Sequence, residues 1–351
     1  MGRCTAVLAA ILLFLLFTAY GVMWILINGP SPTARRLFVL SVKETSAAGF
    51  LADLFLSESE IEAILRPEGD GSVAEDIDKS LIQLPTGDVS PEPSIGETTA
   101  PDTAQPADTG TAALEKDVPT DTDGIEVVNI QGGTYSGKML IISDPTRVFV
   151  GVPDRYGEDA HGLSVAAMIE KYDAVAGTNA GGFIDPNGSG TGGLPEGIVI
   201  YEGELLWGNL TDSYNIAGLD KDGVLHVGWM TGQRALDLEI QYAASYGPAL
   251  IINGRPCNEK YSLGGGLNPR TVIGQRADGA ILLMVINGRS LESLGATFDD
   301  LVEVMMAHGA VNATNLDGGS SSLMIMNGEN LTESAYIFGE RVVATAILVR
   351  K

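Results

Sequence analysis

The sequence holds only three histidines and two cysteines in 351 residues, with no Cys-x-x-Cys and no His-Glu-x-x-His pattern. A structural zinc site or a zincin centre needs several such ligands at fixed spacing, so neither is expected. Cys4 stands in an apolar N-terminal run far from Cys257, and no disulfide between them is expected. Gly-x-Ser-x-Gly is also missing, which removes the nucleophile elbow of α/β-hydrolases. Basic residues are scarce: 21 Lys and Arg face 45 Asp and Glu, a formal net charge of −24. A phosphate backbone requires a basic face, so no nucleic-acid partner is expected. What is plentiful is glycine, at 44 residues, beside a hydrophobic share of 45%. That suits a turn-rich domain with a sizeable core more than a helical bundle.

Four zones follow one another. From Thr5 to Asn28 there is no charged residue, and these 24 residues are rich in Leu, Ile, Val and Phe. As a helix they suffice to cross a hydrocarbon core of about 30 Å. The apolar region of a cleaved signal is shorter, roughly 7–15 residues. Residues 1–29 therefore read as an uncleaved transmembrane anchor. Residues 30–66 read as a membrane-proximal helical stalk, a solvated helix of which no chemistry is expected. There Ser57 and Glu60 form a capping-box pattern ahead of Ile61, Ile64 and Leu65. Residues 67–124 contain seven prolines, no Phe, Trp or Tyr, and 14 acidic against two basic residues. Such a stretch cannot bury enough apolar surface to offset its ordering entropy, so it reads as a disordered acidic linker. As a flexible coil it would span on the order of 40 Å. Residues 125–351 are the folded domain.

Within that domain, strands are expected at 125–130, 139–143, 147–152, 198–201, 224–227, 280–286, 322–326 and 342–349. Ala277-Asp278-Gly279 joins a further strand, 270–275, to 280–286 as a hairpin. Ser164 is placed to cap a helix over 165–172. Thr297 with Asp300 is placed to cap another over 298–308, ended by Gly309. Strands outnumber helices and hairpins outnumber βαβ units. The expected fold class is α+β, with a mixed, mainly antiparallel sheet core and a few flanking helices.

Three loop clusters could carry chemistry. Asn179-Ala180-Gly181-Gly182-Phe183 follows an apolar strand-like run and could offer an amide and backbone N–H groups to a ligand. Residues 263–271, Leu-Gly-Gly-Gly-Leu-Asn-Pro-Arg-Thr, set Arg270 at a strand start. A fixed guanidinium there could bind phosphate or carboxylate, or merely pair with a nearby acid. Residues 312–322 present Asp317 on a turn with Gly318, Gly319 and three serines, an arrangement suited to a catalytic acid beside an oxyanion or phosphate cradle. The calcium-loop pattern D-x-[DN]-x-[DN]-G is missing. His308 falls on a helix face, which leaves a serine-hydrolase reading weak.

Together these clusters resemble the phosphodiester glycosidase family, whose bacterial relatives are often described as exopolysaccharide biosynthesis proteins. The likeness rests on Asn179-Ala180-Gly181-Gly182-Phe183, Asn268-Pro269-Arg270-Thr271-Val272-Ile273-Gly274, Gly288-Arg289-Ser290 with Leu294-Gly295-Ala296, and Asn315-Leu316-Asp317-Gly318-Gly319-Ser320-Ser321. It covers essentially the whole fourth zone and none of the first three. Two departures stand out: Asn287 where the family often has Asp, and Gly182 where it often has an aromatic.

The resemblance implies hydrolysis of a sugar-1-phosphodiester, such as an N-acetylglucosamine-1-phosphodiester, by an extracytoplasmic domain. Here that domain would be held at the cell membrane by a single pass. Counting positive charges beside the apolar segment favours the opposite orientation, with Arg35, Arg36 and Lys43 against Arg3; the resemblance outweighs that count. A phosphodiester leaves readily, so one carboxylate could suffice as base or nucleophile. Asp317 takes that role, with Arg270 on the phosphate and Arg289 as a second phosphate contact. Asn179 and Asn315 are expected on the sugar, the N–H groups of Gly318, Gly319 and Ser320 on phosphate oxygens, and Gly181 and Gly182 beside them. Glu196 is the candidate second carboxylate. No cofactor and no metal are expected; the expected partners are a carbohydrate phosphodiester or cell-surface polysaccharide, and the membrane through the N-terminal helix. The rival reading is a non-catalytic glycan- or teichoic-acid-binding surface module, since clustered Asn, Arg and Gly serve recognition as well as catalysis.

Overall fold

A computed structural model describes residues 2–45, 48–65, 75–84, 124–186, 189–259, 265–336 and 339–351. The apolar run forms helix α1 (Gly2–Asn28), whose stretch Thr5–Asn28 has a mean hydropathy of 2.5 and is long and apolar enough to cross a membrane. Ser31 then caps α2 (Pro32–Lys43): its Oγ accepts from the Ala34 N–H at 3.2 Å, and Pro32 takes the first position, where a missing N–H costs nothing. Two short helices follow, α3 (Phe50–Asp53) and α4 (Glu58–Leu65). At α4 the expected capping box forms, with Ser57 N–H donating to Glu60 Oε2 at 3.0 Å and Glu60 N–H donating to Ser57 Oγ at 3.4 Å.

The stalk is not the lone solvated helix that its sequence suggests. Val39, Ala52, Leu56 and Ile61 bury themselves against Ile27 at the end of α1. Part of the stretch read as linker is also placed on the domain. Residues 75–84 carry a short 3₁₀ turn, Lys79–Leu81. Gln83 N–H donates to Ala277 O at 2.7 Å, and Asp76 and Glu75 pair with Arg234 and Arg255 at 3.0 and 2.5 Å. Lys79 reaches the buried carboxylate of Asp220 at 2.5 Å. Composition averaged over a long acidic stretch hides a short piece whose acids meet arginines across the chain. The remainder of that stretch, 67–74 and 85–123, lies outside the described residues.

The domain is α+β, as its pattern predicts, with the strands divided over three sheets. Every pairing among the described strands is antiparallel. The largest sheet runs β1 (Ile125–Gln131), β2 (Ser136–Ile142), β13 (Ile281–Ile286), β12 (Arg270–Arg276), β14 (Ala310–Leu316), β10 (Ala249–Ile252), β11 (Arg255–Pro256). The second runs β16 (Glu329–Asn330), β15 (Met324–Met326), β4 (Ala174–Asn179), β17 (Ala346–Arg350), β3 (Val148–Gly151). The third runs β6 (Glu204–Trp207), β5 (Val199–Tyr201), β9 (Ile240–Ser245), β7 (Ser213–Asp220), β8 (Leu225–Thr231). One apolar cluster is faced by all three, with Leu140 and Leu283 from the first, Val150 and Ile347 from the second, Leu225 and Val227 from the third. Each such side chain, once buried, contributes roughly 1.5–3 kcal/mol.

The helices cover outer faces. Ser164 caps α5 (Val165–Lys171), which buries Met168 on the second sheet. Thr231 caps α6 (Gly232–Asp237) beside the third. Helix α7 (Phe298–Ala307) starts with the reciprocal Thr297–Asp300 box and packs Phe298, Leu301 and Met305 on Val272 and Met284 of the large sheet. It ends at Gly309, whose φ of +81° favours glycine.

Candidate active site

The end of β4, the start of β12 and the end of β14 meet at one place, and a buried amide ties them together. Asn179 donates from Nδ2 to Asp317 O at 2.5 Å, while its Oδ1 accepts from Thr271 Oγ1 at 2.8 Å and from Leu323 N–H at 3.3 Å. Asn179 is fully buried and does not line the cavity, so the sequence reading of it as a sugar contact does not match its position. Its hydrogen bonds instead join the large sheet to the second one and set the backbone from which Asp317 projects. Asn315 is likewise buried, donating from Nδ2 to Gly247 O at 2.7 Å, and Gly181 is walled in with its N–H on Thr345 Oγ1 at 2.9 Å. Neither lines the cavity; their donors are taken by the junction of strand ends, while the buried Asn315 Oδ1 has no partner in the protein.

The cavity beyond the junction has a volume of about 1090 Å³. Of the sequence-derived residues, it brings together Asp317, Arg270, Glu196, Arg289, Gly182, Gly318, Gly319 and Ser320. Desolvation pushes the Asp317 carboxyl up to about 7; the Glu196 charge adds to this and Arg341 opposes it. Glu196 stands exposed at the same cavity, its own carboxyl raised by desolvation and by Asp185. Tyr246 lies near both acids, and Asp317 is the main reason its phenol is held above the ordinary range. Its ring also fills the space at Gly182, where an added Cβ would meet Tyr246 Cδ2 at 2.6 Å and Glu196 Oε2 at 2.9 Å. Tyr246 thus supplies an aromatic wall at the position where this chain departs from the family pattern. Asn287, the other departure, holds the 332–336 loop by accepting from Glu333 N–H at 3.0 Å and does not line the cavity.

Three guanidinium groups line the same cavity. Arg270 is buried over the Phe298 ring, 4.3 Å from its centroid, and donates to Ala296 O at 3.2 Å and Gly266 O at 2.7 Å. Arg289 donates to Asn268 Oδ1 at 3.2 Å; desolvation first, then the Arg270 charge, lowers its pKa. Arg341 donates to Ser320 Oγ at 2.8 Å, pairs with Asp185 and lies 4.9 Å over the Phe183 ring. Gly319 has φ +61°, and a Cβ there would come within 3.0 Å of Arg289 Nη2. Its N–H is committed to Pro269 O at 2.9 Å, so the turn holds the cationic pole together and does not offer that donor to a phosphate, as its sequence suggests.

The pole is filled from the stalk. Glu44, the C-cap of α2, accepts from Gly266 N–H at 3.0 Å, Asn268 Nδ2 at 2.8 Å and Arg270 Nη2 at 2.7 Å. Ser41 Oγ accepts from Leu267 N–H at 2.9 Å, and Thr45 Oγ1 from Arg289 at 3.3 Å. Sequence reasoning left open whether Arg270 binds a ligand or a nearby acid; it pairs with an acid from 226 residues earlier in the chain. Leu263 and Gly264 of that loop lie outside the described residues. Arg341, Asp185, Tyr246 and Glu44 were all missed, since no motif marks them and only the fold gathers them; Asn268 lay in a recognised motif but was given no role. Among the described residues no group of three or more His, Cys, Asp or Glu side chains could hold a metal.

Residues 172–350, just over half of the chain, match the phosphodiester glycosidase family. The chain belongs to the phosphodiester glycosidase family. Among curated relatives, mouse N-acetylglucosamine-1-phosphodiester α-N-acetylglucosaminidase is 25% identical over 224 residues, covering 58% of this chain and 42% of that protein. A prophage-derived uncharacterised protein of Bacillus subtilis (strain 168) is 28% identical over 203 residues, covering 53% of this chain and 28% of that protein. The chain thus spans less than half the length of these relatives. Among solved structures, the catalytic domain of zebrafish N-acetylglucosamine-1-phosphodiester α-N-acetylglucosaminidase, auto-inhibited by its pro-peptide, superposes with a TM-score of 0.53 at 19% identity. It covers 66% of this chain and 85% of that one, a likeness of fold.

Proposed function

We propose that this chain is a membrane-anchored, extracytoplasmic hydrolase that cleaves the C1–O bond of a sugar-1-phosphodiester in cell-surface glycan. The observation that carries this is the cavity itself: a desolvated Asp317 carboxyl faces three convergent guanidiniums in a protein of net charge −24. A cationic pole in so acidic a chain is built for an anion, and a carboxylate beside it is placed for attack at the carbon that the anion leaves. In the proposed step, Asp317 acts as base on water or as nucleophile at C1. The C1–O bond breaks and its electron pair leaves with the phosphomonoester. Arg270, Arg289 and Arg341 neutralise the charge that develops there. Leaving-group stability makes a strong general acid unnecessary, and Glu196 is the second carboxylate, able to move the remaining proton. Residues 1–29 serve as anchor, 30–66 as stalk and 125–351 as the catalytic domain.

The Glu44 carboxylate supports this reading of the pole, since it collects one guanidinium, one amide and one backbone N–H in the manner of a phosphate oxygen pair. The zebrafish relative is blocked by its own pro-peptide. In this chain the 41–45 segment is the corresponding block, displaced when substrate enters. The test uses the full-length protein in detergent with GlcNAc-α-1-phosphodiester and related sugar-1-phosphodiesters, in water enriched in heavy oxygen. Label in the released sugar supports C1–O cleavage. Label in the phosphate means P–O cleavage and overturns the glycosidase reading.

A further inference from the structure

The cavity is larger than the proposed reaction needs. At about 1090 Å³ it exceeds the roughly 300–1,000 Å³ of ordinary small-molecule sites, whereas one sugar and one phosphate would occupy only its cationic end. The rest of its wall comes from the third sheet, where β7 and β8 pair Asn215 with Trp229. Trp229 is 39% exposed although it lines the cavity. Asn215 Oδ1 beside it is buried and has no hydrogen-bond partner in the protein. The Asn215 main-chain carbonyl accepts from the Tyr246 N–H at 3.2 Å, so this wall is continuous with the tyrosine whose phenol feels both Asp317 and Glu196. Gly247 keeps the amide's place clear: a Cβ there would come within 2.7 Å of Asn215 Nδ2.

A flat, half-exposed indole beside an unsatisfied amide oxygen is a carbohydrate's counterpart. The C–H face of a pyranose lies on the ring, and the Asn215 amide, which lines the cavity and whose buried Oδ1 has no partner in the protein, turns to take a hydroxyl. We propose that Trp229 and Asn215 form a subsite for a second pyranose ring, one sugar beyond the ring whose anomeric carbon lies at Asp317. The substrate is then an oligosaccharide phosphodiester and not that of a single sugar. This rests on the hydrolytic reading for the order of the subsites, but the sugar platform itself does not.

The experiment has two arms, both with the full-length chain in a zwitterionic detergent that contains no sugar. In the first, kcat/KM is measured for monosaccharide and disaccharide 1-phosphodiesters. The disaccharide is expected to be preferred, and Trp229→Ala is expected to reduce that preference about tenfold, as loss of one well-placed aromatic contact does. No preference in the wild type, or a ratio unchanged in the variant, overturns the subsite. In the second, Asp317→Asn is titrated with phosphate-free trisaccharides of N-acetylglucosamine, glucose and galactose while tryptophan fluorescence is followed. A saturable change that disappears in Asp317→Asn with Trp229→Ala supports the platform, even if the wild type hydrolyses nothing and the hydrolytic reading falls. Turnover of phosphodiesters without disaccharide preference and without any saturable fluorescence change leaves the hydrolase standing and removes the subsite.

Discussion

Asp317 is held by its surroundings in a state that costs stability once it ionises, and the proposed chemistry would use that state. Its carboxyl is raised to about 7 by desolvation and by Glu196, so it favours the fold most below the ordinary carboxylate range near 4, and that contribution is lost as pH rises through about 7. Asp317→Asn, which never ionises, is expected to melt a few degrees above the wild type at pH 8 and level with it at pH 4. The same variant is expected to lose about a thousandfold in kcat, the usual scale for a removed acid–base group; near-normal turnover would take Asp317 out of the reaction. If its anion is the working form, kcat/KM climbs with pH towards a plateau above about 7. Glu196→Gln removes a neighbouring negative charge, so the midpoint of that climb should move to lower pH; a profile that stays in place separates the two acids. Asn179 belongs to the same scale with the opposite role. With three buried hydrogen bonds to the turns around Asp317, Asn179→Ala is expected to cost roughly 1–3 kcal/mol in a denaturant titration, a penalty that a solvent-facing sugar contact would not carry.

At the scale of elements, the stalk does more than its amphipathic pattern announces. Its capping box at Ser57 and Glu60 could be read in the sequence, because a helix start is settled by hydrogen bonds between residues three apart. That the C-cap of α2 would carry Glu44 into a pocket over 200 residues away could not, because nothing local to Glu44 refers to Asn268 or Arg270. The block makes a direct prediction. Glu44→Ala should lower KM for the phosphodiester by about tenfold and tighten inhibition by inorganic phosphate, because substrate no longer competes with a tethered carboxylate. An unchanged KM with unchanged phosphate inhibition would mean that the segment already stands aside in solution. The 75–84 piece tells the same story on the opposite side. The linker's composition conceals it, yet Lys79 completes a buried cluster in which Asp220 also accepts from His226 at 3.0 Å. Burial alone would raise the Asp220 carboxyl, and the His226 and Lys79 hydrogen bonds outweigh it and hold the pKa well below normal.

Across the whole molecule, with α1 as the proposed anchor, the helices that follow it would shorten the distance between membrane and cavity. Helix α2 has 12 residues, about 18 Å at 1.5 Å each, and it separates the end of α1 from Glu44. A free coil over the linker would hold the domain on the order of 40 Å away; the stalk contacts bring the cationic pole close to where α1 ends. With α1 as an anchor, the protein is expected to stay in the pellet after an alkaline carbonate wash of membranes, and an external protease is expected to reach the domain in spheroplasts. Release into the wash supernatant would make α1 a signal or a peripheral helix instead.

Periodicity, capping residues and turn dipeptides determined about half of the strands from 125 onward, two of the three capped helices there and the α+β class, because each of these is settled within a few residues of chain; β7, β9, β10, β14 and α6 were not expected. The apolar run and the Gly-rich clusters were equally plain, and the clusters carried the family likeness. Which side chains of those clusters face solvent was decided only when three sheets closed on one core. Asn179, Asn315 and Gly181 turned inward at the junction of strand ends, while Arg341, Tyr246 and Glu44 arrived from distant segments to build the pocket. Buried polar groups must find partners wherever the fold brings them, and that pairing is a property of the packed chain and not of any stretch of sequence.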